Sequence, residues 1–306
     1  MLAEAAAPRA DADEDIEIPI SIAGERVVRV RLHGRKDGPL IIAAGGISAS
    51  RRVREWWGGL IYEGGPIDLD RYGVLGFDFA PLEDRRAPLT PHVQAELLLA
   101  ALDQLGIAQA HAFVGASYGA MVGLALGEIA PERLARLVAI SAAHRPAALG
   151  RAWRGVQRRI VEDALEAGDG ARGLALARQL AMITYRSAEE FEQRFDGALD
   201  ENGRSDLDKY LVSRGTAYAN ACAARRWLSL SEAIDRFAAR PEAIAVKTTL
   251  VACPSDQLAP LQDIEELAAR LPQCAGLKLM PSLYGHDAFL KECAQLEAIL
   301  AEALDG

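Results

Sequence analysis

The amino-acid sequence predicts an α/β fold: a mostly parallel sheet covered by helices, with a helical segment inserted between core strands. Three observations carry this. Strand-like and helix-like runs alternate over residues 16–144 and resume over 241–306. Between them, over 145–240, strand-like runs vanish and helical patterns rich in Ala, Arg, Glu and Leu take over. Finally, Gly115-Ala116-Ser117-Tyr118-Gly119 joins a short apolar run to an apolar helix. Alternation of this kind implies parallel strands connected by crossover helices.

Met1 to Asp15 is Ala-rich and acidic, without a basic n-region or an apolar h-region, and reads as a disordered leader. Ile16 to Ile22 and Arg26 to Leu32 flank Ala23-Gly24-Glu25 and predict an antiparallel pair. Pro39 to Ala44 and Gly73 to Phe77 read as core strands, and Pro91 to Leu105 as an amphipathic helix. His111 to Val114 is a short buried strand, Ala120 to Leu126 the start of a helix, and Leu134 to Ile140 another strand. Within 145–240, helices are expected at Trp153 to Ala167, Gly173 to Ile183 and Ser187 to Phe195. The sheet resumes with Lys247 to Cys253 and Leu277 to Met280. An all-helical insertion over the sheet edge reads as a lid that shapes a pocket and excludes water.

The pentapeptide has the context of a nucleophile elbow, a sharp strand-to-helix turn that strains the serine backbone and exposes its Oγ. Glycines two residues before and after Ser117 let strand and helix approach closely. Asp256 follows the Lys247 strand in Pro254-Ser255-Asp256, and His286 follows the Leu277 strand in Gly285-His286-Asp287. Ser117, Asp256 and His286 thus stand in the order of an α/β-hydrolase triad, each past the C-terminal end of a strand. The other histidines, His33, His92, His111 and His144, have no comparable placement and read as structural or exposed.

Composition bounds the partners. The chain has 306 residues, half of them apolar, which is enough to bury a large core without disulfides or metal. A formal charge of −9 and the lack of a basic tract argue against nucleic acid. Cys222, Cys253, Cys274 and Cys293 are scattered, without zinc-ligand spacing, and read as free thiols of a reducing compartment. No apolar run is long enough to span a bilayer, so the expected location is cytoplasmic.

Taken together, these motifs resemble the homoserine O-acyltransferase family of the α/β-hydrolase fold. The resemblance runs through Trp56-Trp57 and Gly65 to Tyr72, the elbow with Tyr118-Gly119-Ala120-Met121, and Val156-Gln157-Arg158-Arg159. It continues through Thr184-Tyr185-Arg186-Ser187, Ser255-Asp256 and Gly285-His286-Asp287-Ala288-Phe289-Leu290. It implies a ping-pong acyl transfer from acyl-CoA to homoserine on the way to methionine, with no permanently bound cofactor and a homodimer as partner arrangement. Ser117 is then the nucleophile, His286 the base, and Asp256 the group that fixes the imidazole. The Tyr118 N–H and, by the same resemblance, the Ile47 N–H form the oxyanion hole. Asp287 is the carboxylate for the acceptor's ammonium, its ordinary alternative being a negative charge on the first turn of the C-terminal helix.

The chain departs from the family pattern in places. Counting from Tyr210-Leu211, the arginine expected to hold the acceptor carboxylate falls on Ala221 and a tyrosine position on Trp227, which leaves Arg225 or Arg226 as candidate substitutes, the ordinary alternative for each being a solvated helix residue. The histidine of the oxyanion loop is missing, and the segment from Phe79 to Thr90 is short. Arg51, Arg52 and Arg145 offer cations for a distal carboxylate, which tilts the donor toward succinyl-CoA over acetyl-CoA. Serine as acceptor, or water in an esterase or thioesterase, are the alternatives; an intact Ser, Asp and His argues against a non-catalytic relative.

Overall fold

A computed structural model describes residues 13–81, 88–195 and 197–305. Strand β1 (Glu14–Ser21) pairs antiparallel with β2 (Glu25–Gly34), from Glu14 opposite Leu32 to Ser21 opposite Glu25. The expected leader lies outside the described residues up to position 12. Its last two residues, Glu14 and Asp15, belong instead to β1, because the hairpin register gives their backbone partners. Then come β3 (Leu40–Ala44), α1 (Val53–Trp57), the short parallel pair β4 (Ile61–Tyr62) and β5 (Ile67–Asp68), and β6 (Gly73–Phe77). Helix α2 (Pro91–Gln104), β7 (Ala112–Ala116), α3 (Tyr118–Ile129) and β8 (Arg136–Ile140) complete the first part.

Five helices follow: α4 (Ala148–Glu166), α5 (Gly170–Tyr185), α6 (Ala188–Arg194), α7 (Asp206–Ala221) and α8 (Ala224–Asp235). Their starts are marked locally. Asp169, Ser187 and Ser205 each accept a bond from the backbone three residues on, and Ser205 with Asp208 forms a capping box. Helix α5 packs against both α4 and α7. The chain returns through β9 (Lys247–Ala252), α9 (Leu261–Arg270), β10 (Cys274–Leu279), α10 (Ala288–Lys291) and α11 (Cys293–Asp305).

The main sheet has the order β1-β2-β6-β3-β7-β8-β9-β10. From β6 onward every neighbour is parallel, whereas β2 runs antiparallel to both β1 and β6. The side-chain period of two divides the core between the faces. Ile42 and Ala44 pack with α2 and α3, while Ile41 and Ala43 pack with Val53, Trp57 and the α11 residues Leu296, Leu300 and Leu304. Helix α2 buries Gln94, Leu97, Leu98, Ala101 and Leu102, a three-and-four spacing that matches its expected amphipathic stripe. No described helix is long and apolar enough to cross a membrane.

Candidate active site

Ser117 sits between β7 and α3 with φ 54° and ψ −119°, outside the regions that a side chain ordinarily tolerates. The turn is that sharp because strand and helix nearly touch. A Cβ on Gly115 would lie 2.7 Å from the backbone of Gly119. Ser117 Oγ lies 2.7 Å from His286 Nε2, and His286 Nδ1 lies 2.7 Å from Asp256 Oδ2. Three strand ends far apart in sequence thus deliver one linear relay.

Each partner is itself held. Asp256 Oδ1 accepts the N–H groups of Leu258 and Ala259 at 2.8 and 3.0 Å, so one carboxylate oxygen is spent on its own loop and the other faces the imidazole. That leaves Nδ1 as donor and Nε2 free to take the Ser117 proton, the tautomer this network requires. Burial of the imidazole opposes its charge, yet the Asp256 carboxylate, with a smaller contribution from Asp287, outweighs burial and holds the His286 pKa above the ordinary 6.5. Gly285, at φ 53°, permits the approach: a Cβ there would meet the Tyr185 carbonyl oxygen at 2.7 Å.

Tyr118 is the first residue of α3, so its N–H is among those without an intrahelical acceptor. The next N–H, of Gly119, donates to Gly45 O at 2.8 Å and ties the elbow to the loop after β3. Gly46 and Ile47 of that loop border the same cavity as Ser117. The Tyr118 side chain points the other way, buried, with its hydroxyl donating to Leu89 O.

A cavity of about 170 Å³ opens over Ser117. The core supplies one side of it, and α4, α5 and α8 supply the other through Arg154, Arg178, Tyr185 and Trp227. Asp287 borders it, with Oδ2 accepting from Arg186 Nε at 3.0 Å; Arg186 also reaches Glu190 at 3.2 Å. Among the described residues no group of His, Cys, Asp and Glu is arranged to hold a metal ion.

The cations differ from expectation. Arg225 is exposed on α8 and does not border the cavity, and Arg226 donates to Phe79 O at 3.1 Å. Ala221 ends α7 at the surface, so that position holds no cation near Ser117. Arg178 stands in the cavity wall instead. Its guanidinium lies 5.1 Å from the Tyr185 ring centroid and 4.6 Å from that of Tyr218, and among the described residues it has no carboxylate partner. The sequence carried one signal for it: Arg178 and Tyr185 are seven residues apart in an apolar helix and so share a face.

Arg51 and Arg52 are likewise spent elsewhere. Arg51 pairs with Asp15 and Asp78, and Arg52 with Glu55. Arg145 borders the cavity but pairs with Glu266 at 2.9 Å. Arg154 was not singled out from sequence. It is nearly buried, and it shares the single carboxylate of Asp235 with Arg158. Its Nη2 lies 2.7 Å from Asp235 Oδ1 yet has no aligned hydrogen-bond acceptor.

The family profile described as alpha/beta hydrolase fold matches residues 39–292. A homoserine O-succinyltransferase from Xanthomonas campestris is 41% identical over 94% of this chain and 82% of its own length. The chain belongs to the homoserine O-acyltransferase family. A homoserine O-acetyltransferase from Mycobacterium sp. (strain KMS) is 30% identical over 82% of this chain and 78% of its own length. Among solved structures, a homoserine O-acetyltransferase from Bacillus anthracis superposes with a TM-score of 0.82 at 16% identity, covering 96% of this chain and 97% of that one. That likeness speaks to the shared fold.

Proposed function

We propose that this chain, a homoserine O-acyltransferase family member, moves an acyl group from acyl-CoA to the hydroxyl of L-homoserine through an acyl-Ser117 intermediate. The observation that carries the reading is that Arg178 and Asp287 both line the cavity that opens over Ser117. An amino acid's head group has one carboxylate and one ammonium, and these two residues are its complements.

In the first half-reaction His286 Nε2 takes the Ser117 proton while Oγ attacks the thioester carbonyl. The tetrahedral oxyanion is received by the N–H groups of Ile47 and Tyr118, and its collapse expels the CoA thiolate, which takes the proton from the imidazolium. In the second half, Nε2 takes the proton of the acceptor hydroxyl as its oxygen attacks the Ser117 ester. Collapse returns that proton to Oγ and frees the O-acyl amino acid. Residues 145–240 act as a lid over a core of 16–144 and 241–306, keeping water from the ester. Asp256 orients His286 throughout.

The donor is succinyl-CoA in preference to acetyl-CoA. Supporting this, Arg154 borders the cavity with a nitrogen that has no aligned acceptor, and two arginines there share one carboxylate. A distal carboxylate satisfies both conditions; an acetyl methyl satisfies neither. The enzyme works as a homodimer in methionine biosynthesis in the cytoplasm, a setting that suits four free thiols. The exposed pairs Leu149 and Val156 on α4, and Leu176 and Ile183 on α5, each seven residues apart, give a candidate self-association face.

The test is release of CoA thiol from succinyl-CoA and acetyl-CoA with homoserine, serine or no acceptor. Homoserine-dependent release is expected. Release that is equal without acceptor would make the chain a thioesterase, and release with serine alone would reassign the acceptor.

A further inference from the structure

The loop from Gly45 to Arg52 carries Ile47 and has no regular structure of its own, so something else must fix its course. At its start, Gly45 O accepts from Gly119 N–H, and Ala49 N–H closes a turn onto Gly46 O at 2.8 Å. Near its end, Trp56 Nε1–H donates to Ser50 O at 2.9 Å. The last restraint comes from outside the loop. Asp78, just past β6, accepts Arg51 N–H on Oδ1 at 2.8 Å and Arg51 Nη1 on Oδ2 at 2.7 Å.

This contact is sheltered and backed. The side chain of Asp78 is 12% exposed and that of Arg51 21%. Arg51 Nε reaches Asp15 on β1 at 2.8 Å, so the loop end is roped to the edge hairpin as well. Gly76 leaves room for the crossing, since a Cβ there would lie 2.1 Å from Arg51 O. One carboxylate therefore grips both the backbone and the side chain of the residue four positions after Ile47. A charge-assisted, two-point grip of this kind fixes direction as well as distance.

We infer that Asp78, acting through Arg51, is a positioning residue that sets the oxyanion loop and thereby the aim of the Ile47 N–H. The inference rests on the reading of Ile47 as an oxyanion donor to Ser117 chemistry and goes beyond it by assigning what holds that donor in place. Asp78 touches no reacting atom. Its effect belongs to the transition state, where the donor must meet a developing charge, and not to ground-state binding of the thioester.

Asp78→Ala and Asp78→Asn test it, with Arg71→Gln, which severs the Arg71–Asp305 pair at the other end of the sheet, as the comparison. Acylation of Ser117 by succinyl-CoA is followed in single turnover, giving a rate constant and a donor dissociation constant separately. Phenylboronic acid, which forms a tetrahedral adduct on serine, reports the oxyanion hole independently. Asp78→Ala is expected to slow acylation about 30-fold, below the 10²–10³ of outright donor loss, and to weaken the boronate in parallel. Asp78→Asn keeps an oxygen for Arg51 N–H and should fall between; it decides the matter alone if the alanine variant does not fold.

An acylation rate that drops at least threefold more than donor affinity, with no such split in Arg71→Gln, supports the assignment. Any smaller split, or an unchanged boronate affinity, overturns it. If wild type forms no acyl-Ser117, the Ser117 reading falls and this inference with it; if wild type acylates and the Asp78 variants match it, only the inference falls.

Discussion

The guanidinium of Arg178 lies 5.1 Å from the ring centroid of Tyr185, and that ring lies 5.7 Å from the imidazole of His286. One aromatic ring thus neighbours both the imidazole and a cation that has no carboxylate partner among the described residues. Arg154, by contrast, is close enough to lower the His286 pKa slightly against the larger pull of Asp256.

If Arg178 holds the acceptor carboxylate, Arg178→Ala removes a charged hydrogen-bond donor from it. The expected loss is about 1.5 to 3 kcal/mol, or about 10- to 150-fold in kcat/KM for homoserine. The acylation burst with succinyl-CoA alone should persist. Asp287→Asn should show the same split, because Arg186 still anchors the side-chain oxygen while the ammonium loses its counter-charge. Stopped-flow release of CoA thiol separates the two phases; loss of the burst in either variant would move that residue from acceptor recognition to support of His286.

Donor choice is read from Arg154→Leu. Asp235 keeps Arg158 at 2.7 Å, so the pair behind the cavity survives the change. The ratio of kcat/KM for succinyl-CoA over acetyl-CoA should fall about 10- to 150-fold, the worth of one charged hydrogen bond. A ratio that stays constant assigns the distal carboxylate to some other group.

The pH dependence has a definite sign. Burial alone lowers the His286 pKa, and the Asp256 carboxylate together with that of Asp287 raises it further than burial lowers it. Since the base must be neutral, the acidic limb of acylation should have its midpoint above the ordinary 6.5, with activity gained as pH rises through it. The same raised value means that the His286–Asp256 pair contributes stability below that unfolded value, and this contribution is lost as pH rises through the folded one. In Asp256→Asn only the Asp287 carboxylate still opposes burial, so the midpoint should fall relative to wild type. An NMR titration of the His286 ring in both proteins measures it, and a midpoint that does not fall would remove Asp256 as the cause.

Much of this site was legible in the sequence, for reasons that can be named. The elbow announces itself because the strain at Ser117 demands small neighbours on both sides, a local requirement written in five residues. Asp256 and His286 follow strands whose apolar runs are clear, so their place at one sheet edge comes from topology alone. Arg178 was not legible as a ligand group, because its meaning depends on how α5 lies across Ser117, and a cation in a helix is ordinarily solvated. Counting along α7 led to Arg225, which the packing of α8 turns outward. Arg51 looked available for a donor carboxylate, yet Asp78 and Asp15, 27 and 36 residues away, had already engaged it. The antiparallel β2–β6 pairing was hidden in the same way, since strand order is set by contacts that no local pattern records.

The central claim is that the acyl group passes through Ser117 to homoserine. Peptide mass spectrometry after brief incubation with succinyl-CoA, with and without homoserine, tests it most directly. The account predicts one succinyl mass on the peptide containing Ser117, its disappearance on adding homoserine with appearance of the O-succinyl product, and neither event in Ser117→Ala. A succinyl mass on one of the cysteines, or product formation by the alanine variant, would contradict it.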